Sequence, residues 1–214
     1  MSTSSLYVLT PPSIDDLDAF ASSLEAVLDA GKGTAAVAAC IQLRLKDVPD
    51  TDVLEAARRL IPICHQRDVG FLVNDRPDLA KQAGADGVHI GQTDTALEEA
   101  RDILGADKDI GVTCHDSIHL AMEAGEGGAD YVAFGAFYPT ATKTTEHRAD
   151  TTILSRWSEM ATVPSVAIGG ITPSNAAPLS VAGADYLAVC GSIWHHPDGP
   201  VKAVEAFANA LEAA

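Results

Sequence analysis

The chain has 214 residues, a net charge of −16 and only 14 lysine and arginine residues, so its composition argues against a protein that binds nucleic acid or anionic membranes. No apolar run is long enough to span a bilayer, and we expect no signal peptide because the first residues lack a basic start and a long apolar segment. Four cysteines lie far apart and form no CxxC pair, which favours reduced thiols and a cytoplasmic protein: Cys40, Cys64, Cys114 and Cys190.

Apolar segments with the strand pattern alternate with segments of helical period along the whole chain. The predicted strands are 6–9, 35–43, 71–73, 87–90, 109–112, 131–134, 165–168 and 186–189. The predicted helices are 14–28, 53–66, 77–83, 96–104, 117–124, 153–160, 173–181 and 200–211. Ser13 can cap the first helix, while Pro77 and Gly84 suit the first position and the end of the third.

A Gly-Ala-Asp repeat supports this count. It occurs at 84–86, 128–130 and 183–185, each time after a predicted helix and before a predicted strand. The glycine can end the helix, and the aspartate can tie the turn into the strand. A repeated joint of this kind indicates stacked βα units. Eight strands and eight helices predict one domain over residues 1–214, a TIM (β/α)8 barrel; a flavodoxin-like open sheet is the alternative.

Two aspartates follow consecutive strands in the segment 71–94. Asp75 comes after the third predicted strand and Asp94 after the fourth, with one helix between them. Two strands joined by one helix are almost always parallel, so both residues leave the same edge of the sheet. Two carboxylates there can share a hard cation such as Mg²⁺, which takes oxygen ligands and keeps several waters. The alternative is that each aspartate only forms a turn or caps a helix.

Cations also follow the predicted strands, at the edge where TIM barrels have their active sites. Arg44 and Lys46 lie two apart on a strand end, so we expect them to face the same way and to grip a diphosphate. A solvated pair of surface cations is the alternative. Lys143, flanked by Thr140 and Thr142, predicts a loop that closes over a phosphate.

Glycines follow the seventh and eighth predicted strands, at 169–170 and at 191. In TIM barrels this is a frequent phosphate-binding position, although such glycines can also serve only to make tight turns. The seven histidines show no spacing typical of a zinc site. We expect His89, between Val88 and Ile90, to be a barrel or rim residue rather than a metal ligand.

Five motifs occur in order along nearly the whole chain: QLRLKD at 42–47, NDRPDLA at 74–80, GADGVHIGQTD at 84–94, GADYVAFGAFYPTATK at 128–143 and VAIGGITPSN at 166–175. With these motifs the chain closely resembles the thiamine-phosphate synthase family. The resemblance implies a TIM barrel that joins a hydroxymethylpyrimidine diphosphate to a thiazole phosphate with Mg²⁺, giving thiamine phosphate and diphosphate. Its partners are then small phosphorylated molecules. The sequence leaves open whether the chain forms a homo-oligomer.

The resemblance also implies roles for individual residues. The pyrimidine substrate and its diphosphate would be held by Gln42, Leu43, Arg44, Leu45, Lys46 and Asn74. Mg²⁺ would be held by Asp75 and Asp94. The thiazole phosphate would be held by Thr140 and Thr142 and by the backbone at Gly170, Cys190 and Gly191. The catalytic candidates, which would contact the departing diphosphate, are Arg44, Lys46, Thr113 and Lys143.

The chain departs from the usual family pattern at two of these positions. Thr113 stands where the family generally has serine, and Gly191 stands where a serine is common. Two other functions stay open. A thiazole tautomerase-like paralogue keeps the thiazole phosphate site but typically loses much of the diphosphate and Mg²⁺ site, and a non-catalytic sensor of thiamine-related phosphates would bind without turnover.

Overall fold

Eight parallel strands close into a barrel in a computed structural model, which describes residues 4–140 and 147–213. The strands are β1 (Ser5–Leu9), β2 (Ala38–Leu43), β3 (Gly70–Asn74), β4 (Gly87–Ile90), β5 (Asp109–His115), β6 (Tyr131–Gly135), β7 (Ser165–Ile168) and β8 (Tyr186–Val189). Each strand pairs with the next in the sequence, and β1 also pairs with β8, where Val8 lies opposite Val189. This closure confirms the TIM barrel and excludes the open sheet.

Helices follow the strands and cover the outside of the barrel. Those of the described residues are α1 (Leu17–Gly31), α2 (Asp50–His65), α3 (Pro77–Ala83), α4 (Leu97–Leu104), α5 (Ile118–Glu126), α6 (Thr152–Met160), α7 (Pro173–Val181), α8 (Gly191–Trp194) and α9 (Pro200–Glu212). The extra helix relative to the prediction is α8, which at four residues is too short to show a helical period. Within residues 4–140 and 147–213, no helix has both the length and the apolar character needed to cross a membrane.

One predicted end was wrong, since β5 continues past residue 112 to His115 and so includes Thr113. Three predicted starts were also wrong, for local reasons. The first helix is capped by Asp16, whose carboxylate accepts the N–H of Ala19 at 2.9 Å, and not by Ser13. The second strand starts at Ala38 rather than at residue 35, because a turn around Thr34 precedes it. The second helix starts at Asp50, three residues before the first apolar position of its pattern.

The Gly-Ala-Asp joints close the end of the barrel at which the strands begin. Each aspartate accepts the backbone N–H of the preceding strand: Asp86 from Phe71 at 2.7 Å, Asp130 from Ile110 at 2.7 Å and Asp185 from Ser165 at 2.8 Å. Each of these aspartates also donates its own N–H to the carbonyl of the same strand residue. The three glycines have positive φ, as a helix end of this kind requires. The repeat therefore has the structural role that the sequence indicated.

Two tyrosines fill the middle of the barrel. Tyr7 on β1 and Tyr131 on β6 are both buried, in a cluster separate from the larger core between barrel and helices. Gly111 on β5 makes room for them, since a Cβ there would lie 1.9 Å from Cζ of Tyr131. The interior is therefore packed by these two tyrosines together with apolar side chains such as Leu9, Leu72 and Val166.

Candidate active site

Asp75 and Asp94 meet at the carboxyl ends of β3 and β4, which are neighbouring parallel strands. Asp75 has a φ of 63°, in the left-handed region that non-glycine residues seldom adopt, and its N–H donates to the carbonyl of His89 at 2.8 Å. Asp94 is held by the N–H of Gly91, which donates to its carboxylate at 2.7 Å. The chain is therefore bent at both positions to hold the two carboxylates at one edge.

The two carboxylates are close enough to affect each other. Burial raises the pKa of Asp94 most, the neighbouring charge of Asp75 raises it further, and the N–H of Gly91 partly opposes the rise. Lys46 donates to the carboxylate of Asp75 and compensates part of the negative charge. The site is thus a crowded pair of acids with one lysine beside it.

Arg44 and Lys46 lie beyond the end of β2, which stops at Leu43, so the prediction that both sit on the strand and face the same way was wrong. Lys46 reaches Asp75, toward β3. The N–H of Arg44 donates to Oγ1 of Thr10 at 2.9 Å, and the Arg44 charge partly opposes the rise that burial causes in the pKa of Cys190, after β8. The two cations therefore serve different sides of the barrel mouth.

Arg44 has no carboxylate within ion-pair distance among the described residues, a property that it shares with Arg58, Arg148 and Arg156, whereas four other arginines there are each bound to an aspartate. In a chain of net charge −16, an arginine at the mouth without such a partner is a suitable ligand for an anion. The buried Thr10, which also accepts the thiol of Cys190 at its carbonyl oxygen, is a positioning residue that the sequence did not reveal.

Gln42, Asn74 and Thr113 are joined by one chain of hydrogen bonds through the barrel. Its contacts are Asn74 Oδ1 with Gln42 Nε2 at 2.6 Å, Gln42 Oε1 with Tyr7 Oη at 2.9 Å, Tyr7 Oη with Tyr131 Oη at 2.8 Å, Tyr131 Oη with His89 Nδ1 at 3.0 Å and His89 Nε2 with Thr113 Oγ1 at 2.8 Å. His89 is therefore an interior residue, as expected. Nothing in the sequence singled out the two tyrosines, whose only signal was a polar aromatic residue within an apolar strand.

The remaining predicted pyrimidine-site residues are two leucines. The side chain of Leu43 is 1% exposed and packs in the core between the barrel and the helices. Leu45 is half-buried and packs against the same core. Together with Lys46, Asp75 and residues of α2 and α3, they line a cavity of about 190 Å³ beside the mouth. The leucine side chains thus belong to the wall of the site.

The predicted phosphate positions lie after β6, β7 and β8. Gly170 has a φ of 62°, and a Cβ there would lie 2.3 Å from the carbonyl oxygen of Pro139. Because glycine has no Cβ, the end of β7 can approach the segment after β6. Cys190 precedes α8, and Gly191 begins that helix. Thr140 is half-buried and has polar contacts, while Thr142 and Lys143 lie outside the described residues.

A hydroxyl in α8 is buried without a partner. Oγ of Ser192 is the buried side-chain oxygen or nitrogen that makes no hydrogen bond within the described part of the chain. It lies one residue after Gly191, where the resemblance leads us to expect a serine. The sequence therefore offers a hydroxyl near this helix start, although not at the usual position.

Fold and site together define a class. A closed (β/α)8 barrel whose carboxyl edge has paired carboxylates, cations and glycine joints has the architecture of a TIM-barrel enzyme. The family model for thiamine monophosphate synthase matches residues 6–193. The chain belongs to this family, so the prediction from the motifs is confirmed, and with it the prediction of a transferase of thiamine biosynthesis.

Individual relatives agree with this assignment. Thiamine-phosphate synthase of Rhodospirillum centenum is 58% identical over 202 residues, which cover 94% of this chain and 95% of the relative. The synthase of Hyphomonas neptunium is 50% identical, with 96% of this chain and 92% of the relative covered. Among solved structures, thiamine phosphate pyrophosphorylase from Pyrococcus furiosus is similar with a TM-score of 0.81 at 31% identity, covering 99% of this chain and 97% of that one.

Proposed function

We propose that the chain transfers the 4-amino-2-methyl-5-hydroxymethylpyrimidine group from its diphosphate to hydroxyethylthiazole phosphate, giving thiamine phosphate and diphosphate. The family membership and the names of relatives up to 58% identical support this reaction. The observation that carries it in the structure is the meeting of Asp75, Asp94 and Lys46 at the barrel mouth. Such a site suits a diphosphate that arrives with a metal ion.

We propose Mg²⁺ as the cofactor, held by Asp75 and Asp94. Mg²⁺ takes oxygen ligands, keeps several waters and is usually bound through one or two carboxylates plus substrate phosphates. The two residues fit this pattern, because the described residues contain no larger group of His, Cys, Asp and Glu that could hold a metal. Burial raises the pKa of Asp94 most and the charge of Asp75 raises it further, and a bound cation would favour the ionised form of both carboxylates. When bound, Mg²⁺ would neutralise part of the charge on the diphosphate.

The protein's own cations would stabilise the leaving group. When the bond between the pyrimidine methylene and its oxygen breaks, the electron pair leaves with the diphosphate and positive charge develops on the methylene. Arg44, Lys46 and Lys143 would hold the departing charge, and Thr113 would line the site with its hydroxyl bonded to His89. Lys46 would be shared between Asp75 and the diphosphate, whereas Arg44 has no carboxylate partner to leave within the described residues.

The second substrate would approach from the other side of the mouth. We propose that Thr140, Thr142 and the backbone at Gly170, Cys190 and Gly191 hold the thiazole phosphate, because the loops after β7 and β8 and a short extra helix form the usual phosphate site of TIM barrels. A phosphate oxygen there would give Oγ of Ser192 a partner. This arrangement leaves the thiazole nitrogen to supply the electron pair for the new C–N bond.

The reaction needs no nucleophile from the protein. The thiazole nitrogen attacks and the diphosphate leaves, so atoms and electrons balance without a covalent enzyme intermediate. The thiol nearest to the site does not contradict this, since burial raises the pKa of Cys190 and keeps it protonated. All four cysteines are free, which supports the further proposal of a cytoplasmic location.

Two other functions compete. A tautomerase-like paralogue would typically lack much of the diphosphate site, and the presence of Arg44, Lys46, Asp75 and Asp94 argues against it. A non-catalytic sensor would bind both phosphates without releasing diphosphate, so only turnover separates it from the synthase.

The test is diphosphate release by the purified protein, with both substrates, with each alone, and with Mg²⁺ or EDTA. We expect release only with both substrates, and its loss in EDTA with recovery when Mg²⁺ is restored. Binding of thiazole phosphate without any release would overturn the proposal and favour the paralogue or the sensor.

A further inference from the structure

The two buried tyrosines of the barrel interior have no part in the proposed transfer as described so far. Tyr7 and Tyr131 lie below the mouth, and their hydroxyls connect Gln42 on one side to His89 on the other. A buried hydroxyl is costly unless it is hydrogen-bonded, and phenylalanine would fill the same space without that cost. The hydroxyls therefore call for an explanation beyond packing.

With the Gln42 amide as the structure places it, its Oε1 facing Tyr7, the protons in this chain can be assigned by counting. A tyrosine hydroxyl has one proton, so when it makes two hydrogen bonds it donates one and accepts the other. Tyr7 donates to Oε1 of Gln42 at 2.9 Å, and its oxygen must then accept the proton of Tyr131 at 2.8 Å. Tyr131 has no further proton, so it accepts from Nδ1 of His89 at 3.0 Å. Each step of the chain fixes the next.

The Gln42 amide and this proton order are consistent with one another. Its oxygen is turned inward to Tyr7, so its nitrogen faces Asn74 and donates to Oδ1 of that residue at 2.6 Å. Gln42 is only 2% exposed, so its amide is satisfied by these two side chains rather than by water. Asn74 is half-buried and uses its oxygen in this contact, which leaves its own NH2 group for a ligand.

We propose that Tyr7 and Tyr131 are positioning residues that fix the Gln42 amide and, through it, the amide of Asn74, so that the site presents N–H donors to the ring nitrogens of the pyrimidine. The ring nitrogens of an aminopyrimidine are acceptors, so a reversed amide would place an oxygen against a lone pair. The inference rests on the proposed function for the identity of the heterocycle. It adds which ligand atoms are recognised and which buried residues determine that recognition.

Phenylalanine substitutions separate positioning from packing, because they remove only the hydroxyl. Tyr7→Phe leaves Oε1 of Gln42 without its donor, and Tyr131→Phe removes the donor to Tyr7 but leaves Tyr7 bonded to Gln42. Tyr186 provides a matched control: it packs against the same interior cluster from β8, and its hydroxyl is outside the chain of hydrogen bonds.

Steady-state kinetics give the first readout. We expect Tyr7→Phe to raise KM for the pyrimidine diphosphate about tenfold, and Tyr131→Phe about threefold, while KM for the thiazole phosphate changes less than about twofold. Tyr186→Phe should change neither. An unchanged pyrimidine KM in Tyr7→Phe, or an equal rise for both substrates, would overturn the proposal, since a general loss of packing has no reason to select one substrate.

A double substitution tests whether Tyr7 acts through Gln42. In a Gln42→Leu background there is no amide to orient, so adding Tyr7→Phe should cause little further loss of pyrimidine affinity. A second tenfold loss in that background would show that Tyr7 acts by another route and would contradict the inference.

The positioning role of the tyrosines can be tested even if the protein does not catalyse the transfer. If the wild-type protein releases no diphosphate, calorimetry with free 4-amino-5-hydroxymethyl-2-methylpyrimidine replaces the kinetics. Binding about tenfold weaker in Tyr7→Phe than in wild type and in Tyr186→Phe would then support positioning without synthesis. Equal binding in all three proteins, or no binding by the wild type, would overturn the positioning role.

Discussion

The aspartates of the Gly-Ala-Asp joints and the aspartates at the barrel mouth have different neighbours. Where the strands begin, Asp86, Asp130 and Asp185 each accept a backbone N–H of the preceding strand and so anchor one strand to the next. Where the strands end, Asp75 and Asp94 are close to one another, and both burial and the charge of Asp75 raise the pKa of Asp94. The first arrangement stabilises the fold, and the second keeps two partly buried carboxylates next to each other with only partial compensation by Lys46 and the N–H of Gly91.

The difference shows how one residue type is used for structure and for function in the same fold. An anchored carboxylate gains from folding because its donors are fixed backbone groups. Two neighbouring carboxylates repel each other, which costs free energy on folding. Such pairs are found where a ligand of opposite charge is expected. In a TIM barrel the strand ends hold the site and the strand starts hold the fold, and the aspartates of the joints and of the mouth follow that division. Asp109, which begins β5, is an exception, because burial and the charges of Asp130 and Asp86 raise its pKa as well.

The largest expected effect comes from removing one charge at the mouth. Asp75→Asn and Asp94→Asn keep the size of the side chain but weaken the oxygen ligands, so diphosphate release should fall about 10²- to 10³-fold. The matched control is Asp130→Asn, which removes the same charge at the other end and should leave the rate nearly unchanged. Initial rates of diphosphate release at saturating Mg²⁺ compare the mouth variants with this control. An equal loss of rate in all three variants would show that the mouth aspartates have no special role in catalysis.

Stability should respond in the opposite order. Asp130→Ala leaves the N–H of Ile110 and the guanidinium of Arg101 without their carboxylate, so we expect a loss of about 1–3 kcal/mol in the free energy of unfolding. Asp94→Asn relieves repulsion and should not destabilise the protein. Urea unfolding compares the two variants, and a stability loss in Asp94→Asn as large as in Asp130→Ala would contradict the account.

The helix start after β8 should have a moderate effect on one substrate. Ser192→Ala removes the buried hydroxyl that lacks a partner, so we expect KM for the thiazole phosphate to rise about fivefold with no loss of stability. Gly191→Ser is the converse change. A Cβ at that position would lie 3.6 Å from Nδ1 of His195, an ordinary contact, so the added hydroxyl should be tolerated and should lower this KM. Unchanged values in both variants would place the phosphate elsewhere.

The smallest effect concerns pH. Since the pKa of Asp94 is raised above its ordinary value of 3.8, the folded state binds this proton more tightly than the unfolded state does. Stability must then fall as pH rises through the window between the ordinary and the raised pKa. The Asp94→Asn variant has no such proton. Without divalent cations, its free energy of unfolding should therefore increase relative to that of the wild type as the pH rises from ~4. The measurement is urea unfolding at several pH values. If the free energies of unfolding of the two proteins changed equally with pH, the assigned direction of the Asp94 pKa shift would be wrong.

Local sequence patterns predicted most of the fold. The alternating apolar segments and the Gly-Ala-Asp joints gave the strand order and the barrel, because each βα unit is local in the chain. The boundaries that failed, at Asp16, Ala38 and Asp50, depend on which polar group satisfies the first N–H groups of a helix or ends a turn. Helix α8 was missed because four residues carry no period.

The site was predictable only where residues follow consecutive strands. Asp75 and Asp94 were found because one helix separates them, and the geometry of parallel strands then brings them together. The contact between Tyr7 and Tyr131 joins residues 124 positions apart, and the closure of the barrel alone makes it. The divergence of Arg44 and Lys46 was also hidden, because it depends on where β2 ends rather than on their spacing.

The most direct test of the contrast between the two ends is a measurement of metal binding. Mn²⁺ accepts the same oxygen ligands as Mg²⁺ and can be titrated by electron paramagnetic resonance, with and without inorganic diphosphate. We expect wild type and Asp130→Asn to bind Mn²⁺ equally, and Asp75→Asn and Asp94→Asn to bind it about tenfold more weakly or worse. If the two mouth variants bound Mn²⁺ as tightly as the wild type, the paired carboxylates would not be the metal site and the account would be wrong.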